Sequence, residues 1–124
     1  MFLGLRTLGV HVPPDKLAEA KAWYSLVAGK PPYFDEPFYV GFEIGGYELG
    51  LQPTEGRSGA GGIDVYWGTN DIDAEVARLV SIGATLADPI QDVGGEIKVA
   101  VVNDPFGNRL GVIYNPHFKG ETRS

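Results

Sequence analysis

The same order of predicted elements occurs twice in this chain, and that duplication limits what the chain can fold into. Residues 2–52 and residues 62–114 each read strand, helix, strand, strand, strand. A Gly- and Ser-containing connector, PTEGRSGAG at 53–61, joins the two halves. A length of 124 residues suits one compact domain and leaves little room for two independent cores. The sequence therefore predicts a single domain over residues 1–124, built from two similar repeats.

The first repeat contains one helix and a tight hairpin. Its predicted elements are a strand at 2–12, a helix at 15–28, an extended piece at 33–34, and strands at 38–44 and 47–52. The helix is predicted from apolar residues at helical spacing, namely Leu17, Ala20, Tyr24 and Val27. Gly29 follows where a helix end favours a left-handed residue. Gly45-Gly46 is typical of a two-residue hairpin turn.

The second repeat follows the same plan with different capping residues. Its predicted elements are a strand at 62–69, a helix to Ser81, an edge strand at 84–90, and strands at 97–103 and 109–114. Either Asn70 or Asp71 can cap the helix. Pro89 places its strand at an edge, because proline donates no ladder hydrogen bond. The polar tail from Asn115 is expected to be loose.

Composition narrows the possible partners. A net charge of −6, without clustered Lys and Arg, opposes binding to nucleic acid. No apolar run approaches the roughly 20 residues that span a bilayer, so no membrane contact is expected. The alternating N-terminus indicates a strand rather than a signal peptide. The chain has no cysteine, which removes disulfides and thiolate chemistry and fits a cytoplasmic location.

Three segments together resemble one enzyme superfamily. They are WYSLVAGKPP at 23–32, VYWGTNDIDAEVARLVSIGATL at 65–86 and DPFGNRLGVI at 104–113. The chain resembles the vicinal oxygen chelate superfamily of glyoxalases, bleomycin resistance proteins and extradiol dioxygenases. The resemblance implies an α+β fold in which two βαβββ modules form a curved mixed sheet with helices on the outside. It also implies a cup that holds one divalent metal, usually through His and Glu on the first and last strands of each module.

The resemblance places the metal ligands on residues that are poor ligands here. A typical member ends in Asp-Pro-x-Gly-x-x-apolar-Glu-apolar, and the glutamate falls on Gly111. Repeat symmetry puts the matching position on Gly50. The two first-strand positions fall on Asp64 and on Leu8, or on Gly9 in a shifted register. With one potential ligand in four, no metal cofactor is expected.

A different register keeps a metal site possible. Glu48 lies two residues before Gly50, and an alignment on Tyr-Glu-Leu places it at the ligand position. If the first strand also takes the Gly9 register, His11 points inward, and His11, Glu48 and Asp64 form a site for a divalent metal lyase, isomerase or dioxygenase. The ordinary interpretation of His11 is a strand residue satisfied by backbone or water. His117 is expected to be exposed in the tail.

The inward faces of the strands predict the binding residues for a small organic ligand. Strand alternation places Glu48, Asp64, Tyr66 and Arg109 in the cup, beside glycines that leave a hollow. Three candidates could add an aromatic wall, namely Phe38, Tyr39 and Phe42. A flat or cationic ligand suits such a pocket, because it can stack on the rings. The opposite face of the fifth strand, with Ile63, Val65 and Trp67, is expected to pack under the helices.

Other roles for the same residues stay open at this stage. Arg109 and Glu48 hold matching places in the repeats and could form a structural pair. Asp64 could bind a backbone group, and Tyr66 could be ordinary packing. Glu48 or Asp64 near Arg109 could also act as a general base without metal. The resemblance further implies a homodimer, since members of the superfamily commonly pair.

Overall fold

The computed structural model describes residues 1–118. It contains two compact units, each described by itself below. The N-unit comprises Leu8–Ile63 and the end of the chain from His117. The C-unit comprises Met1–Thr7 and Asp64–Pro116. The first residues of the chain therefore group with the second repeat, a division that the repeat boundaries did not predict.

The N-unit carries one βαβββ module. Its elements are β1 (Gly4–Val12, of which the part from Leu8 belongs here), a 3-10 turn (Pro14–Lys16), α1 (Leu17–Ala28), β2 (Phe34–Glu36), β3 (Tyr39–Ile44) and β4 (Tyr47–Pro53). The strand order is β2-β3-β4-β1. Gly29 ends α1 with φ of 73°, and Gly45 and Gly46 form the β3–β4 turn with φ of 60° and 90°. The predicted helix end and hairpin are confirmed, whereas α1 starts two residues late because the 3-10 turn precedes it.

One face of the N-unit sheet packs against α1. Val40, Phe42 and Leu51 are buried there. They contact partly buried apolar side chains from α1 and neighbouring strands, namely Val10, Leu17, Ala20, Tyr24, Ala28 and Leu49. Because side chains alternate along a strand, Glu48 and Gly50 lie on the face of β4 away from α1, as predicted.

The C-unit carries the second module and has a mixed sheet. Its elements are β5 (Ile63–Gly68, from Asp64 in this unit), α2 (Ile72–Ser81), β6 (Thr85–Gly94), β7 (Ile97–Asn103) and β8 (Arg109–Tyr114). The order is β5-β8-β7-β6, with β5 parallel to β8 and the other pairs antiparallel. The Asp71 carboxylate caps α2 by accepting from the Ala74 backbone N–H at 3.1 Å. The predicted α+β fold of two βαβββ modules is confirmed.

Both faces of β7 and β8 are buried. Ala100, Val102 and Val112 pack against α2 with Ile72 and Leu79. The opposite face holds further apolar residues with little or no exposure, namely Ile97, Val99, Val101 and Ile113. Both faces of these two strands therefore carry buried apolar side chains.

Two sequence-based expectations are wrong. Ile63 and Val65 do not pack under the helices, because they are 57% and 43% exposed. The tail is not loose as far as Phe118, which is 4% exposed and has its ring centroid 5.4 Å from that of Tyr33. His117 is exposed, as predicted. No helix within residues 1–118 is long and apolar enough to cross a membrane.

Candidate functional site

A tyrosine ring lies over each of the two glycines, Gly50 and Gly111, to which the resemblance assigns the acidic metal ligands. A Cβ atom added to Gly50 would overlap the Tyr39 hydroxyl and lie 2.6 Å from its Cζ. A Cβ atom added to Gly111 would lie 2.6 Å from Tyr66 Cδ1 and 2.7 Å from the Val65 carbonyl oxygen. Tyr66 is the direct neighbour of Gly111 in the parallel β5–β8 pair. Covering a strand glycine with a neighbouring aromatic ring restores the packing that glycine lacks.

The glycines therefore do not leave a hollow, which corrects the expectation from sequence. Each position is filled by tyrosine, and a glutamate side chain cannot occupy either position without displacing its neighbours. The residues at these two positions do not fit the metal site that the family implies. The mismatch is steric, because an acidic side chain at Gly50 or Gly111 would clash with the tyrosine that covers it.

Glu48 is held inside the N-unit by a phenol. Its side chain is almost fully buried, and the Tyr33 hydroxyl donates to Glu48 Oε2 at 2.5 Å. Gly41 makes room for this contact, since a Cβ atom there would lie 2.6 Å from Glu48 Oε2 and 2.9 Å from Tyr33 Cε1. A buried carboxylate needs such donors, because desolvation of its charge is costly. Glu48 itself is almost fully buried, whereas Tyr33 is 39% exposed.

The residues of the alternative metal site are divided between the units. His11 is buried in the N-unit, with Nδ1 3.0 Å from Thr54 Oγ1. Glu48 is also in the N-unit, whereas Asp64 is in the C-unit. Among the residues that the structure describes, no group of three or more His, Asp or Glu side chains could hold a metal ion.

In the C-unit, Arg109 binds two carboxylates. Its Nε and Nη2 atoms donate to Asp64 at 2.9 and 3.1 Å, and Nη2 also donates to Asp88 at 2.7 Å. The hydrogen bond to Asp64 is the main cause that raises the pKa of Arg109 above its usual value, with Asp88 adding to it. Asp64 is buried, while the Arg109 side chain is 35% exposed. Arg109 therefore takes its carboxylates from its own unit rather than Glu48, and Asp88 was missed by sequence reasoning.

The N-unit also contains an aromatic group around β2. Phe34 is its centre, with ring centroids 4.9 Å from His117, 6.0 Å from Phe38 and 6.1 Å from Tyr39. Tyr33 and Phe118 extend it. Phe38 and Tyr39 were predicted here, while Phe42 packs under α1 instead. The adjacent aromatic residues Tyr33 and Phe34 were a usable sequence signal for this group. The contribution of Phe118 could not be predicted, because no local pattern indicates that the end of the chain packs against Tyr33.

A shallow groove of about 280 Å³ lies between α1 and the β2–β3 segment. It is lined by Leu17, Ala18, Lys21, Asp35, Glu36, Pro37 and Val40. Lys21 and Asp35 form an ion pair of 3.0 Å beside it. The groove contains none of the four predicted ligand-binding residues.

Comparisons with known proteins agree with this architecture. A protein named NAD-dependent benzaldehyde dehydrogenase from Legionella pneumophila is 18% identical over 87% of this chain and 96% of its own, with a TM-score of 0.66. A glyoxalase/bleomycin resistance protein/dioxygenase superfamily member from Vibrio splendidus 12B01 is 18% identical over 90% and 99%, with a TM-score of 0.56. At these identities the likeness shows the fold alone.

A third solved structure is the Mn(II)-bound glyoxalase from Novosphingobium aromaticivorans. It is 20% identical over 99% of this chain, with a TM-score of 0.60, and this chain spans 42% of its length. No curated protein matches the sequence significantly. The family model described as Glyoxalase-like domain matches residues 9–113. Because that match covers most of the chain, the protein belongs to the glyoxalase-like domain family, in the superfamily that the sequence predicted.

Proposed function

We propose that this protein binds a small organic ligand without using the metal site of its family. The observation that carries the proposal is the pair of tyrosine rings over Gly50 and Gly111. Those rings occupy the space that two acidic ligands would need, and both tyrosines are themselves buried, at 1% and 2% exposure. Recognition by hydrogen bonding and by the more exposed aromatic rings of the N-unit therefore suits this protein better than metal coordination.

The predicted ligand-binding residues take two different roles in this proposal. Arg109 has a partly exposed side chain and would be the contact of the C-unit to a ligand. In the N-unit the exposed contact would be Tyr33, which the sequence did not predict. Glu48 and Asp64 are buried beneath them and would position the Tyr33 hydroxyl and the Arg109 guanidinium. Tyr66 contributes its packing over Gly111. The partly exposed aromatic rings beside Tyr33 favour a flat ligand.

The competing function is a divalent-metal lyase, isomerase or dioxygenase that uses His11, Glu48 and Asp64. Solved structures of this fold include a protein with bound metal, the Mn(II)-bound glyoxalase above. A methylmalonyl-CoA epimerase is also among them, at 17% identity and a TM-score of 0.63. The two functions differ in whether ligand recognition depends on a metal ion.

A thermal-shift screen separates the two functions. Chelator-treated protein is screened against antibiotics and thiol conjugates, with and without Mn²⁺, Ni²⁺ and Zn²⁺. Under the proposal, a specific ligand raises the melting temperature without metal, and at 100 times its Kd it adds about 2.7 kcal/mol to the free energy of unfolding. A ligand shift or turnover that appears only with metal and disappears in Glu48→Gln would reject the proposal.

A matched pair of tyrosine variants tests the role of Tyr33. Tyr33→Phe keeps the ring and removes the hydroxyl, so we expect ligand affinity to fall about tenfold. Tyr47→Phe removes a hydroxyl from another exposed tyrosine of the same unit and should leave the affinity unchanged. Equal affinities for both variants would remove Tyr33 from the site.

We further infer that the protein forms a single domain, is located in the cytoplasm and acts as a homodimer. The acidic composition and the family membership support these inferences. Limited proteolysis tests the first, cell fractionation the second, and the solution mass the third.

A further inference from the structure

The hydrogen bond between Tyr33 and Glu48 has a fixed direction. A phenol has one proton to donate and lone pairs that accept, whereas a carboxylate only accepts. The Tyr33 hydroxyl therefore donates its proton to Glu48 Oε2, at 2.5 Å. An O–H group bound this closely to a carboxylate forms a strong, charge-assisted hydrogen bond. Toward any further group, the Tyr33 oxygen can then act only as an acceptor.

The fold keeps this direction fixed. Glu48 is 1% exposed on β4, which has β3 on one side and β1 on the other. A Cβ atom added to Gly41 of β3 would lie 2.6 Å from Glu48 Oε2, so the carboxylate fits closely against that strand. A ligand that took the Tyr33 proton would leave a buried carboxylate oxygen without this donor, which is costly. The proton is therefore reserved for Glu48.

The aromatic rings beside Tyr33 favour a positive charge at the same place. The Phe34 ring centroid lies 6.2 Å from that of Tyr33 and 6.0 Å from that of Phe38. Phe34 and Phe38 are both half-buried, so a ligand can reach part of each ring. The face of an aromatic ring attracts a cation that lies within about 6 Å. The net charge of −6 also attracts cations and repels anions at long range.

We infer that the ligand of this site is a flat ring that carries a protonated amine, and that its ammonium group donates to the Tyr33 oxygen. This ligand class depends on the proposed function, which is metal-free binding in which Tyr33 contacts the ligand. An ammonium group has donors and no acceptor, so it matches an oxygen that only accepts. A carboxylate ligand offers only acceptors and would compete with Glu48 for the Tyr33 proton. The site therefore selects ammonium ions over anions.

The first test compares two probes with the same ring and opposite charge. Benzylamine is protonated near neutral pH, whereas benzoate is ionised. Chemical-shift titration of isotope-labelled, chelator-treated protein measures both dissociation constants and locates the site. We expect benzylamine to bind at least about tenfold more tightly than benzoate. The largest shifts should occur at the backbone amides of Tyr33 and Phe34.

Three variants test whether the Tyr33–Glu48 hydrogen bond causes this preference. Glu48→Gln presents an amide that can accept from Tyr33 or donate to it, so the preference for benzylamine should fall to about threefold or less. Glu55→Gln removes the same charge from an exposed carboxylate of the N-unit, and it should keep the wild-type preference. Tyr33→Phe removes the acceptor and keeps the ring, so it should weaken benzylamine binding about tenfold and leave benzoate binding unchanged.

Three results would overturn the inference. They are a benzoate affinity equal to that of benzylamine, the same loss of preference in Glu55→Gln as in Glu48→Gln, and binding of neither probe at about 10 mM. The first result leaves the proposed function intact, because benzoate would still bind without metal. The second would assign the preference to net charge. Failure of the proposed function is recognised separately, by a screen in which ligands bind only with metal.

Discussion

The two repeats each cover a glycine with a tyrosine but hold their acids differently. In the N-unit the Tyr39 ring lies over Gly50, and in the C-unit the Tyr66 ring lies over Gly111. Beside the first pair a neutral phenol donates to Glu48. Beside the second pair, a guanidinium binds Asp64. The covering tyrosines lie at different places in the two repeats, on β3 in the N-unit and on β5 in the C-unit, and the acids are bound by donors of different charge.

The helices differ in a similar way. Helix α2 begins at a side-chain cap and buries Ile72, Glu75 and Leu79. Helix α1 begins at Leu17, its N-cap residue Lys16 makes no side-chain cap hydrogen bond, and each residue of the helix keeps some exposure. Equivalent positions in the two modules thus carry different surfaces. Shared topology does not require shared partners.

The largest expected effect distinguishes the two glycines. Gly111→Ala and Gly50→Ala should each lower the free energy of unfolding by about 3 kcal/mol, because both force atoms into occupied space. The contacts at Gly50 are all with the Tyr39 side chain, while those at Gly111 include the Val65 backbone oxygen. Both tyrosines are buried, so Tyr39→Ala and Tyr66→Ala are costly by themselves. In the Tyr39→Ala background the further change Gly50→Ala should cost little, whereas in the Tyr66→Ala background Gly111→Ala should still cost stability because of the Val65 oxygen. Urea unfolding of the single and double variants measures this, and equal coupling at both sites would contradict the steric explanation.

The next-largest expected effect tests the hydrogen bonds of the Arg109 guanidinium to Asp64. Arg109→Met leaves the buried Asp64 carboxylate without its two donors, so we expect a loss of about 2–3 kcal/mol in the free energy of unfolding. The second change Asp64→Asn should restore part of that loss, since a neutral amide needs less compensation. A double-mutant cycle measures the coupling. A coupling near zero would mean that the exposed part of the pair is screened by water.

A smaller effect is expected where the donor is neutral. Tyr33→Phe removes the hydroxyl that donates to Glu48, and we expect a loss of about 1–2 kcal/mol. Glu48→Gln keeps an acceptor for that hydroxyl and should cost less. Thermal unfolding of both variants, with Tyr47→Phe as control, shows which variant loses more stability. The reverse order would indicate that the charge of Glu48, rather than the hydrogen bond, stabilises the N-unit.

The smallest expected effect concerns the pH dependence of stability, which Glu75 of helix α2 tests. The hydrogen bond from Arg78 is the main cause that lowers the pKa of Glu75 in the folded protein. Stability from Glu75 is therefore present above its unfolded pKa and is lost as pH falls through the lower folded value. Glu75→Gln should remove about 1 kcal/mol near neutral pH and flatten the decline in melting temperature below about pH 4.5. A variant that keeps the wild-type slope would show that other carboxylates cause the decline.

Local signals predicted the elements that depend on neighbouring residues. The bounds of β7 and β8 match the prediction, because a Pro-Phe-Gly turn separates two runs rich in β-branched residues. The choice between Asn70 and Asp71 needed the structure, since both can cap a helix. Strand β6 extends to Gly94, beyond the predicted end, where its pairing with β7 is irregular.

The candidate site was predicted less completely than the fold. Alternation placed Glu48 and Gly50 on one face of β4, but alternation does not say what covers a face. Ile63 and Val65 were assigned to the core for that reason, and they are exposed. Sequence reasoning also missed the Asp88 contact, because Asp88 reaches Arg109 from a different strand.

The sequence by itself determined the duplicated module and the turns, because each depends on residue type and short spacing. Only the tertiary structure decided what covers Gly50 and Gly111. The rings of Tyr39 and Tyr66 reach their glycines across the sheet, and such contacts depend on register rather than on local sequence. The exposed face of α1 became visible for the same reason, since burial is a property of the packed chain.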